Sequence, residues 1–171
     1  MSSVSPTNQP GYFRRYIELV KEDQLQDAFV QQSEEIKKIL PSISEQKSIF
    51  SYAKDKWTIK EVLQHLIDSE RVFTYRAMCI ARNEKAILPS FDENDYAKMS
   101  NANRRTWESL CAEFIALRKS TLFLYDSFSE DMFELEGQAA NNRISVKEIG
   151  FIIIGHFSHH QSIIEQIYFR E

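Results

Sequence analysis

The stretch Ser145-Val146-Lys147-Glu148-Ile149-Gly150-Phe151-Ile152-Ile153-Ile154-Gly155-His156-Phe157-Ser158-His159-His160-Gln161 decides how this chain is read. A helix start, an apolar face and three of the four histidines share one run. Ser145 and Glu148 form an S/T-x-x-E capping box, which supplies acceptors to the first-turn amides that no helical carbonyl can reach. Apolar residues then recur at steps of three and four, the period of an amphipathic helix, and the pattern carries to about residue 169. Two columns with a spacing of seven lie side by side: Ile149, His156, Ile163 and Ile153, His160, Ile167. Both histidines occupy positions that the neighbouring turns give to isoleucine, so both are expected to point inward.

Working outward, Thr58-Ile59-Lys60-Glu61 is a second capping box and opens a helix expected to reach about Asn83. Its inner column is Ile59, Leu66, Phe73, Ile80. Another helix is expected over residues 21–40, with Leu25, Phe29, Gln32, Ile36 and Ile39 or Leu40 on one face and Pro41 ending the pattern. A short helical lead over residues 12–20 precedes it. A further helix covers residues 103–128, with Trp107, Leu110, Phe114, Leu117, Thr121, Leu124 and Phe128 as its inner stripe. Between the second and third long helices, residues 84–101 carry Pro89 and the polar cluster Asp92-Glu93-Asn94-Asp95. They read as a long connection with room for one helical turn, long enough to cross a bundle. Turn signals at Glu136-Gly137-Gln138 and Asn141-Asn142 allow a hairpin. Four long amphipathic helices make an all-α four-helix bundle the economical fold. The shared openings Thr-Ile-Lys-Glu-Val and Ser-Val-Lys-Glu-Ile reflect common cap chemistry, since no other repeat is visible.

Composition narrows the function classes. The chain has 171 residues, suited to one domain with a real core, preceded by a polar tail over residues 1–11 that lacks the basic and apolar regions of a targeting signal. Cys79 and Cys111 are the only cysteines and are far apart in sequence, so neither a disulfide framework nor a thiolate zinc site is indicated, and a cytoplasmic location is expected. Both fall at helical spacing and read as core or flank residues. No apolar run approaches the roughly 18 residues that span a bilayer, so no membrane partner is expected. A formal charge of −4 argues against nucleic acid, whose binding rests on clustered Lys and Arg. Zincin, di-iron, phosphate-loop and nucleophile-elbow motifs are absent. The acidic cluster at residues 92–95 lacks the spacing and glycine of a calcium loop and reads as solvated.

Inward imidazoles need partners, because a buried polar group without a hydrogen bond costs about 1–3 kcal/mol. Residues four apart differ by about 40° around a helix, which lets two rings reach one ion. The remaining histidine, His65, lies beside the inner column of its own helix and also leans toward the core. One ring from that helix and two from the last would make a three-nitrogen site open to water or substrate, a count typical of catalytic rather than structural zinc. An imidazole network without metal, bonded to Ser69, Gln161 or a backbone carbonyl, is the alternative. Depth places His65 about 10 Å along its helix, and His156 and His160 about 16 and 22 Å along theirs, which leaves parallel and antiparallel pairings open. His159 falls at the edge of the stripe, and a pairing of His156 with His159 remains open.

The run Trp57-Thr58-Ile59-Lys60-Glu61-Val62-Leu63-Gln64-His65-Leu66-Ile67-Asp68-Ser69-Glu70-Arg71, followed by Tyr75-Arg76, Phe91-Asp92-Glu93, and Gly155-His156 through His159-His160, resembles the DinB superfamily, in particular its branch of helical-bundle metalloenzymes. The likeness extends over about residues 12–168. It implies up-down-down-up order, with the connection after the second helix crossing the bundle and the second and fourth helices antiparallel. It also implies a divalent metal, zinc or nickel, on His65, His156 and His160. Relatives include transferases and isomerases that use a low-molecular-weight thiol as cosubstrate, and homodimers are common among them. The family name refers to induction by DNA damage, which is no sign of DNA binding.

The expected activity is therefore metal-dependent activation of a thiol, as in an S-transferase acting on a small electrophile. A metal-dependent hydrolase of a small molecule is the second reading. The third is a non-catalytic bundle with a structural or vestigial metal site that binds a partner. Glu61, Asp68 and Glu165 are the candidates to orient a ring N–H or move a proton. Arg71 and Arg76 are candidate anchors for an acidic substrate.

Overall fold

A computed structural model describes residues 11–139 and 142–169. Its helices are α1 (Arg14–Ile17), α2 (Leu25–Ser42), α3 (Glu45–Ser48), α4 (Ile59–Ala81), α5 (Glu93–Met99), α6 (Trp107–Asp126), α7 (Glu130–Phe133) and α8 (Val146–Ile163). A hairpin of β1 (Glu136–Ala139) and β2 (Asn142–Ser145) leads into α8, with Glu136 opposite Ser145 and Ala139 opposite Asn142. The turn signal at Asn141 lies outside the described residues. Both capping boxes form: Thr58 with Glu61 starts α4, and Ser145 with Glu148 starts α8.

Contacts at the helix ends fix the topology. The Tyr168 hydroxyl, just beyond α8, donates to the Trp57 carbonyl at the start of α4 at 2.7 Å, while Gly137, ahead of α8, packs on Ile80 near the end of α4. α4 and α8 are therefore antiparallel, which the depth of the histidines could not decide. Thr58 bonds Asn103 at 2.8 Å and Thr74 meets Thr121 at 3.3 Å, so α4 and α6 run parallel. Trp107 donates its indole N–H to the Leu40 carbonyl at 2.9 Å and Gln26 bonds Asp126, which makes α2 and α6 antiparallel. Gly150 faces Leu25, and the Gln32 amide donates to the Ile154 carbonyl at 2.9 Å, so α2 and α8 are parallel. The result is an up-down-down-up four-helix bundle. Residues 84–106 cross it, pinned near their start where the Leu88 N–H donates to the Gln138 carbonyl at 2.9 Å. Among the described residues, no helix is long and apolar enough to cross a membrane.

Two apolar clusters fill the ends of the bundle, and a polar layer lies between them. Arg118 makes a forked pair with Glu70, at 2.9 and 2.8 Å, and donates to Gln32 at 2.6 Å; Thr121 donates to Glu70 at 2.8 Å. Gln32 in turn reaches Ile154 and Ser158, so this network ties all of α2, α4, α6 and α8 together.

Several boundaries differ from the sequence expectation. α2 begins at Leu25, its first buried residue, and continues through Pro41 to Ser42, because a proline in the last turn forfeits only one amide bond. α4 ends at Ala81, and Asn83 adopts a left-handed conformation. α6 starts at Trp107, capped by Thr106, with a separate 3₁₀ turn at Ala102–Arg104. Its inner face carries Arg118 and Tyr125, whereas Leu117 and Leu124 are only half-buried. After Ile163 the chain makes a π-helical turn, Ile164–Tyr168. The wider turn rotates the later residues, so Tyr168 is buried and Ile167 is 42 % exposed instead of continuing the column of His160.

Candidate metal centre

His65 lies two turns into α4, and His156 and His160 lie in the second half of α8. With the two helices antiparallel, the three rings come to one level. Nε2 of His65 and Nε2 of His156 are 3.0 Å apart, and one ring nitrogen from each of His65, His156 and His160 lies within 4.8 Å of the others. His65 and His156 are buried and His160 is partly buried. The ring centroids are 4.7 to 4.9 Å apart, with edges facing planes.

The surroundings fix ring orientation and strip the rings of solvent. Trp57 lies against His65 at 5.0 Å, Tyr16 against His156 at 5.1 Å, and Phe73 is perpendicular to His156 at 5.8 Å. Ser69 Oγ is 3.5 Å from Nδ1 of His65, which leaves Nε2 to face the other rings. Burial disfavours the imidazolium, and the neighbouring histidines and Arg15 add repulsion. His65 is held down at about 4, and His156 and His160 are well below the ordinary histidine value. Neutral rings keep lone pairs free for a cation.

The donor set fits a divalent ion. Two bonds of about 2.0–2.1 Å at a tetrahedral angle put their nitrogens about 3.3 Å apart, close to the His65 to His156 separation. A ring-to-ring hydrogen bond would satisfy that pair alone. It would leave the ring of His160, which makes no hydrogen bond among the described residues, unexplained.

A cavity of about 120 Å³ opens on the three rings. Its outer wall comes from the short N-terminal segment: Tyr12, Arg15 and Tyr16, with Arg15 donating to the Tyr16 hydroxyl at 2.7 Å. This wall depends on Gly155. A Cβ there would lie 1.9 Å from the Tyr16 carbonyl oxygen, so only glycine lets α1 settle against α8 beside the histidines. The lead over residues 12–20 was legible as a helical segment, but nothing in its own sequence assigned it to the site. Gly155 was the one available signal.

The carboxylates nearest in sequence are not brought to the cavity. Glu61 is engaged in its capping box, accepting from the Thr58 N–H at 2.8 Å. Asp68 accepts from Gln64 at 3.0 Å and sits 3.7 Å from Arg71. Glu165 is exposed and accepts from Gln161 at 2.9 Å. None of the three lines the cavity. Arg71 pairs with Glu113 at 2.5 Å on the surface, whereas Arg76 does line it. The acidic cluster divides its roles: Asp92 caps α5, accepting from Asn94 and Asp95, while Glu93 turns into the cavity wall. His159 contacts Tyr16 and His160 at 5.5 and 5.1 Å but stays outside the trio. Cys111 is buried with its thiol pushed up to about 12 by desolvation, as expected of a core cysteine.

The sequence profile of the DinB superfamily matches residues 12–164. Among solved structures, YfiT from Bacillus subtilis, described as "a probable metal-dependent hydrolase with an unusual four-helix bundle topology", is similar with a TM-score of 0.68 at 15 % identity, over 98 % of this chain and 89 % of that one. At that identity the likeness concerns the fold. No curated protein matches the chain in sequence.

Proposed function

The chain belongs to the DinB superfamily, and from that premise we propose that His65, His156 and His160 hold one divalent metal ion in an enzyme acting on a small molecule. The observation that carries this reading is the convergence of three desolvated imidazoles, with one nitrogen of each within 4.8 Å of the others, on a cavity. When bound, a divalent ion on three neutral ligands keeps its full charge and lowers the pKa of a thiol or water at its open positions.

The chain's own groups do the rest. Ser69 holds the tautomer and angle of His65, while Trp57, Tyr16 and Phe73 exclude bulk water from the rings. Among the described residues the cavity offers a single carboxylate, Glu93, in place of the expected Glu61, Asp68 and Glu165. Lowering the proton affinity of a bound thiol or water would therefore be the chief contribution of an ion held by His65, His156 and His160. A free thiol, at about 8.5, needs less help than water, at about 15.7. Thiol activation and transfer to a small electrophile is accordingly the first reading, with zinc or nickel as the ion. Hydrolysis is the second, favoured by the description given to YfiT.

Elemental analysis of untagged, chelator-free protein tests the metal. About one equivalent per chain is expected, and less than about a tenth of an equivalent would refute the site. Turnover of an electrophile panel with and without low-molecular-weight thiols divides the two reactions: activity indifferent to thiol discards the transferase.

A further inference from the structure

Arg76 is 4 % exposed, yet its guanidinium forms no ion pair among the described residues. Nη2 donates to the Pro89 carbonyl at 2.6 Å, and Nε is buried with no acceptor. Burial alone pulls its pKa down, with no carboxylate contributing in return. Glu93, four residues beyond Pro89 in the crossover, has the complementary defect: Oε2 is buried and no donor reaches it. Both residues line the cavity on which the histidines open, and Phe73 stands between the two ends, 6.0 Å from Cζ of Arg76 and 5.8 Å from the His156 ring. An orphaned donor and an orphaned acceptor this close to a reactive centre would be mutual partners if they were within reach of each other, but no bond joins them.

We infer that the cavity binds a small hydroxy or amino acid, whose carboxylate pairs with Arg76 and whose O–H or N–H donates to Glu93. A planar guanidinium matches a carboxylate with parallel hydrogen bonds, and an ionised Glu only accepts. Both side chains line the cavity, and one ligand of this kind gives Arg76 an anion and Glu93 a donor. A cavity of about 120 Å³ suits a small ligand. Burial of a guanidinium without an ion pair is costly, so its retention here is explained by an anion that arrives with the ligand. This assignment deepens the enzymatic reading above and rests on it for the reaction, but not for the binding.

The test is titration of the untagged full chain with glycolate and with glycolamide, in carboxylate-free buffer, before and after chelator treatment. The readouts are Trp57 fluorescence, since that ring lines the cavity against His65, and the thermal midpoint. Glycolate is expected to bind at least tenfold more tightly than glycolamide in both preparations. Arg76→Gln should cost glycolate at least tenfold and leave glycolamide unchanged, with Arg76→Lys in between. Equal binding of the two probes by wild type overturns the inference, and that comparison needs no variant to fold. A glycolate preference that disappears with the metal and ignores Arg76→Gln belongs to the ion, and overturns the Arg76 assignment while leaving the metal site standing. A preference that persists after chelation and depends on Arg76 supports the assignment even if the histidines prove to hold no metal.

Discussion

The backbone of Tyr16 rests directly on Gly155, so closely that a Cβ built there would fall 1.9 Å from the carbonyl oxygen. One residue without a side chain thus decides whether the N-terminal segment can wall the histidine cavity. In an open helix interior, glycine to alanine gains about 1 kcal/mol from propensity. Here the clash is with backbone and cannot be relieved by a rotamer. Gly155→Ala should instead destabilise by about 1–3 kcal/mol, as overpacking does. Metal content should persist, since no ligand lies on α1. Urea unfolding and elemental analysis check both; a variant as stable as wild type would contradict the packing described.

The histidines should separate sharply. His160→Ala removes one of the three clustered nitrogens and should lower metal content to below about a tenth of an equivalent, whereas His159→Ala, outside the cluster, should retain most of it. Elemental analysis of untagged variants is the measurement, and equal losses would overturn the ligand assignment.

Glu70 and Arg118 are 4 % and 2 % exposed and satisfy each other across α4 and α6. Removing one partner strands a charge in the core, so Arg118→Leu should cost about 3–5 kcal/mol. Glu70→Gln should be milder, because an amide can still accept from Arg118. A double variant with both sites apolar should recover much of the loss, since the cost is that of an unpaired charge. Chemical denaturation of the single and double variants forms the cycle that checks this.

Metal-free protein should weaken in mild acid. His65 takes up a proton near 4 in the folded chain and near 6.5 when unfolded, because burial disfavours the charged ring. Its folded pKa is depressed, so its contribution is intact above about pH 6.5 and is lost as pH falls toward 4. Between pH 7 and 5 this one group removes about 2 kcal/mol, and His156 and His160 act in the same direction. The urea midpoint of chelator-treated wild type should therefore fall on acidification relative to that of His65→Phe. Parallel curves would show that the ring is not held neutral by burial.

Sequence by itself determined the helices and the donors. The Thr58 and Ser145 boxes mark the starts of α4 and α8 because cap chemistry is local, satisfied within a single turn. His156 and His160 could be placed inward because a seven-residue column among isoleucines reports which way a helix faces. The family resemblance implied that α4 and α8 are antiparallel, but the depths of the histidines did not show it, because they leave a mismatch of about one turn in either direction until contacts such as Tyr168 to Trp57 choose one. Burial of Arg118 was hidden for a related reason: a charged residue reads as exposed until its partner, 48 positions away, is known to face it. The same holds for Tyr16 and Glu93, whose place around the histidines depends on how the N-terminal segment and the crossover close over the bundle, and of the two candidate anchors Arg71 and Arg76 only the fold shows that Arg76 lines the cavity. Local periodicity records which face of each helix is apolar, whereas the company a polar side chain keeps is set by segments distant in the chain, and only tertiary packing brings those together.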